Sequence, residues 1–86
     1  MVVIIEQRFI DQLKICPPAF QLKFRKAYQQ LKVVDRPEEI KGVVRINRSL
    51  YKLIIEESRI SLRFNGQELT IGCFLYNQFY RSPDNE

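Results

Sequence analysis

A two-residue hydrophobic alternation between Leu50 and Tyr76 constrains this chain more than any other feature. Ile60, Leu62 and Phe64 fall on one side of an extended segment, with Arg59, Ser61 and Arg63 on the other. Leu69, Ile71, Cys73 and Leu75 repeat the pattern further on. A helix cannot sort residues this way, so both segments read as strands. Asn65-Gly66 between them is a strong hairpin signal, because both residues tolerate positive φ. Glu57-Ser58 reads as a second tight turn, following an earlier strand over Leu50–Glu56. The expected unit is a three-stranded antiparallel meander.

The segment before it has a different period. Val2–Glu6 is a β-branched apolar run, expected to be a strand buried on both faces. Phe9, Ile10, Leu13 and Cys16 recur at helical spacing, and Pro17-Pro18 ends that first helix. Pro18 also suits the first turn of a second helix. Phe20, Phe24, Ala27 and Leu31 give that helix one apolar stripe. Lys32–Gly42 reads as a connection, with a turn of helix beginning at Glu38-Glu39, and Val43–Asn47 as a short strand or extended lead-in. The predicted fold is α+β: an N-terminal strand, a two-helix hairpin, then the meander, with both helices on one face of the sheet. Residues 1–81 form one domain and residues 82–86 a polar tail.

Composition narrows the chemistry. The chain has 86 residues, 45% of them hydrophobic, a net charge of +4, two cysteines and no histidine. A domain of this size has a small core, to which a bound partner adds stability. The positive charge suits anionic partners without selecting one. Lack of histidine removes the commonest general base at neutral pH, and two cysteines alone do not make a zinc site. Cys16 and Cys73 lie in apolar neighbourhoods and read as buried free thiols. No cofactor is expected. Neither a signal peptide nor a membrane span is evident, which predicts a cytoplasmic protein.

The helices cover one face of the predicted sheet and leave the other open. Periodicity puts Lys52, Ile54, Arg59, Ser61, Arg63, Thr70, Gly72, Phe74 and Tyr76 on the open face. Two readings follow. Cations on the outer face of an antiparallel sheet are often simply solvated. They could instead bind RNA, with Lys52, Arg59 and Arg63 neutralising phosphates while Phe74 and Tyr76 stack on bases.

Order and spacing over nearly the whole chain resemble the RelE/ParE/HigB superfamily of bacterial type II toxin–antitoxin toxins. Tyr51-Lys52, Arg59-Ile60 and the ending CFLYNQFYRSP carry the resemblance. It implies a RelE-like fold and a metal-independent mRNA endoribonuclease acting at the ribosome, with a cognate antitoxin as protein partner. By position, it implies Lys52 and Arg59 as phosphate clamps and Tyr80 as a late tyrosine near the leaving oxygen. Tyr76 or Arg81 would be the nearby helper, and Arg63 a further source of charge. The chain departs from the family pattern at Ile54 and at Tyr76-Asn77-Gln78, where basic residues are usual. The ParE branch shares the fold, lacks the nuclease residues and acts on gyrase, so the alternatives are a ParE-like or catalytically degenerate member acting through protein binding, and an unrelated small α+β interaction module.

Overall fold

The computed structural model describes residues 1–80. The chain is α+β. Strand β1 is Val2–Ile5, helix α1 Gln7–Lys14 and helix α2 Pro18–Val33. A 3-10 turn at Pro37–Glu39 precedes β2, Val43–Arg45. Strands β3 (Leu50–Ile55), β4 (Ser58–Phe64) and β5 (Glu68–Tyr76) complete one sheet in the order β1-β5-β4-β3-β2. β1 runs parallel to β5 and every other pairing is antiparallel, so the sheet is mixed.

The antiparallel part has four strands rather than the expected three. Val43–Arg45 pairs with Leu53–Tyr51, lengthening the meander by a short edge strand. β1 was expected to be buried on both faces. It is the opposite edge, so Val2 and Ile4 are exposed while Val3 and Ile5 turn inward. A β-branched run of four residues cannot report from sequence whether one or two faces will be covered.

Both helices contribute to the same core as one face of the sheet. Phe9 of α1 and Phe20, Phe24 and Leu31 of α2 are buried with Tyr51, Leu53, Ile60, Leu62, Leu69 and Ile71. Aromatic rings join the layers, with Phe9 against Phe24 at 4.8 Å and stacked on Phe74 at 5.0 Å. Pro18 opens α2 at its first turn, where the missing N–H leaves no gap.

Both hairpin turns shift by one residue. Ile55 pairs with Ser58, so the β3–β4 turn is Glu56-Glu57 and not Glu57-Ser58. Asn65 N–H bonds to the Glu68 carbonyl, which centres the β4–β5 turn on Gly66-Gln67. Gly66 takes φ +96° at the first central position, as II′ turns require. Asn65 stays outside the positive-φ region. Its Oδ1 accepts the N–H groups of Gln67 and Glu68 at 2.9 and 2.7 Å.

Candidate functional site

The open face is organised around Ser61. Lys52 on β3 is its register partner, while Arg59 and Arg63 lie two residues before and after it on β4. All three cations therefore share one face with Ser61. Lys52 and Arg59 are diagonal neighbours, a relation of about 7–8 Å that long side chains span easily. Neither forms an ion pair among the described residues. Arg59 Nη1 donates to the Glu57 carbonyl at 2.7 Å, which holds its guanidinium beside the β3–β4 turn. Tyr76 is the register partner of Arg59 and is exposed. Tyr51, adjacent to Lys52 in sequence, points the other way into the core.

Arg63 is not a free charge. Its Nη2 donates to Glu6 Oε1 at 2.7 Å. The two side chains are 64% and 43% exposed, so the pair contributes little stability, yet it offsets the cation locally. Sequence reading missed Glu6 because it lies 57 residues away, at the junction of β1 and α1.

Strict alternation fails in β5. Register shifts between Arg59 and Ile60, and between Ile60 and Leu62, align Ile60 with Phe74 while Leu62 aligns with Ile71. These bulges turn Phe74 off the open face. It was expected there as a base-stacking residue; it instead packs among Phe9 and Phe20 at the helix side. Cys73, expected in the core, comes round beside Ser61. Its N–H donates to Ser61 Oγ at 3.1 Å and its thiol lies 3.7 Å from the same oxygen. Gln12 Oε1 accepts the Phe74 N–H at 3.0 Å and satisfies the other displaced donor.

The chain after β5 locks the β3–β4 turn. Gln78 Oε1 accepts the Glu57 N–H at 3.0 Å and the fully buried Ser58 hydroxyl at 2.9 Å. Gln78 Nε2 donates to Glu56 Oε1 at 2.9 Å, and Lys23 of α2 donates to Glu56 Oε2 at 2.6 Å. Glu56 sits at φ +55°, where a side chain other than glycine costs about 1–2 kcal/mol. The Lys23 hydrogen bond, and then that from Gln78, hold its carboxyl below the usual range. Gln78 thus has a structural task here, fixing the turn from which Arg59 emerges. Phe79 packs edge-on against Phe20 at 5.2 Å, and Tyr80 beyond it is exposed. No hydrogen bond joins Tyr80 to Lys52 or Arg59 among the described residues. Arg81 and the expected boundary at 81/82 lie outside the described residues.

Both cysteines are free. Burial pushes the Cys16 thiol up, opposed by a hydrogen bond from Asn77. Among the described residues no three His, Cys, Asp or Glu side chains gather where a metal could be held, and no helix is long and apolar enough to cross a membrane. Neither a protein-family description, nor a curated protein, nor a solved structure matches the chain.

Proposed function

We propose that this chain is a RelE/HigB-type toxin of a type II toxin–antitoxin system, cleaving mRNA at the ribosome without a metal. The observation that supports it best is the juxtaposition of Lys52 and Arg59 around Ser61, both without a carboxylate partner among the described residues. An RNA phosphate between them would receive a planar guanidinium fork from Arg59 and a point charge from Lys52. Both would stabilise the extra negative charge that develops as a 2′-hydroxyl attacks the adjacent phosphate. Tyr76 would stack beside Arg59. Tyr80 and Arg81 would serve the leaving oxygen. A RelE-like layout and a cytoplasmic site belong to the same reading, and a cognate antitoxin would be the stabilising partner.

Induced expression in bacteria with primer extension on a reporter mRNA tests the reading. Arg59→Ala should leave the fold intact, at about 0.5 kcal/mol or less, and slow cleavage about 100-fold. Lys26→Ala, which removes an exposed cation of α2, is the control and should cleave like the native chain. Equal toxicity and cleavage in both variants would remove the open face as the active site.

A ParE-like reading, in which the same face binds a protein, draws on its apolar content. Val2, Ile4 and Val44 are exposed on that side, with Ile54 half-buried. A DNA-damage response on induction, without cuts in mRNA, would favour it.

A further inference from the structure

Glu6 crosses the sheet. Its N–H bonds to the Ile71 carbonyl at 3.0 Å, so its backbone continues the pairing of β1 with β5. Its own carbonyl accepts the N–H groups of Phe9 and Ile10, which start α1. A residue held by a strand on one side and a helix on the other has little freedom. From there its side chain passes over β5 to reach Arg63 on β4.

Gly72 lies beneath that passage. A Cβ at Gly72 would stand 3.0 Å from Ser61 Oγ and 3.4 Å from Glu6 Oε1. A carboxylate and a hydroxyl thus both lie over the bare backbone at Gly72. Lys52 approaches Ser61 from β3, on the side opposite Glu6. Glu6 Oε1 is occupied by Arg63, whereas Oε2 accepts no hydrogen bond among the described residues. Two other carboxylates at the sheet, Glu56 and Glu68, are worse placed. Both oxygens of Glu56 are engaged by Lys23 and Gln78, and Glu68 stands at the far end of β5 beside the Gly66-Gln67 turn.

A carboxylate has no evident use in gripping a polyanion, but it suits a hydroxyl. We propose that Glu6 is the proton acceptor of the open face, receiving the 2′-hydroxyl proton of a ribose whose 3′-phosphate is held by Lys52 and Arg59. This rests on the nuclease reading above. The 2′-O–H bond breaks and its proton passes to Oε2. The freed electron pair forms the 2′-O–P bond, and the P–O5′ bond breaks. O5′ leaves as a hydroxyl with a proton taken from water, and the strand ends in a 2′,3′-cyclic phosphate. Glu6 then returns its proton to water. Arg63, on the other carboxylate oxygen, fixes the orientation of the acceptor. The same contact lets the site prefer ribose over deoxyribose.

Glu6→Gln keeps the shape of the side chain and can still meet Arg63 through its amide oxygen, but it is not a proton acceptor at neutral pH. Single-turnover cleavage of an mRNA programmed on ribosomes should slow by about 100-fold or more. Binding of a non-cleavable oligonucleotide carrying a single 2′-deoxy sugar at the cleavage position should be as tight as for the native chain, or tighter. Thermal melts of both proteins should coincide, and Glu6→Asp should recover part of the rate. Equal cleavage by the native chain and Glu6→Gln overturns the role of Glu6 and leaves the nuclease reading standing. So does a loss of oligonucleotide binding that accounts for the whole rate loss. An inactive native chain overturns the nuclease reading itself, and this inference with it.

Discussion

Phe74 is the residue where one side chain decides between two accounts of this protein. Its place in the sequence, two before Tyr76 and opposite in phase to Ile71, marks it as an outward aromatic. The bulges in β5 reverse that phase, and its ring stacks on Phe9. Phe74→Ala is expected to cost about 2–3 kcal/mol, below the ~3–5 kcal/mol of a fully buried phenylalanine because the residue is half-buried. Urea denaturation measures it directly. A base-stacking Phe74 would give the opposite pattern, weaker RNA binding with an unchanged midpoint. Arg59 and Lys52 needed no such correction, since their phase is read in β3 and β4, ahead of the bulged strand.

At the scale of elements, the β3–β4 turn depends on a residue twenty positions beyond Ser58. Gln78 gives the buried Ser58 hydroxyl its acceptor and the Glu57 N–H its partner. Gln78→Ala leaves that hydroxyl proton without a partner and is expected to destabilise the fold by about 1–2 kcal/mol. It also loosens Glu56. The Glu56 carboxyl titrates below its ordinary range in the folded chain, chiefly through Lys23 and next through Gln78. A lowered folded pKa adds stability that is fully present above the unfolded carboxylate range and is lost as pH falls through the folded value. The melting temperature of the native chain should therefore drop on acidification below that range, and the drop should be shallower for Gln78→Ala. Glu38, lowered first by a hydrogen bond from its own backbone and then by Arg36, titrates in both proteins and cancels in the comparison. The pairing of β3 with β4 is legible from alternation alone, whereas its turn is misjudged by one residue. Glu56 at positive φ is not a choice that sequence rules favour, and only the anchoring of its carboxylate from α2 and from Gln78 sustains it.

For the whole molecule, net charge overstates what a nucleic acid would meet. Fourteen basic and ten acidic residues give +4, but on the open face Arg63 is offset by Glu6, leaving Lys52 and Arg59 as the cations without an ion-pair partner there among the described residues. Binding of a single-stranded oligonucleotide should therefore depend only weakly on salt, with a slope of log K against log salt of about −0.7 for the one phosphate that both cations hold. Lys52→Ala should make it shallower; an unchanged slope would move the contact elsewhere. What the sequence determined by itself was local and periodic. The two-residue alternation of β3 and β4, the helical stripe of Phe20, Phe24 and Leu31, and Pro18 at a helix start are properties of neighbours in the chain. Tertiary structure alone decided what depends on distant partners. β1 lies parallel to β5, and β2 adds an edge. Bulges set the face of Phe74 and Cys73, and Glu6 reaches Arg63 across Gly72. A period says which residues share a face, but only packing of the whole chain fixes where that period slips and what is carried to the site from the far end of the sequence.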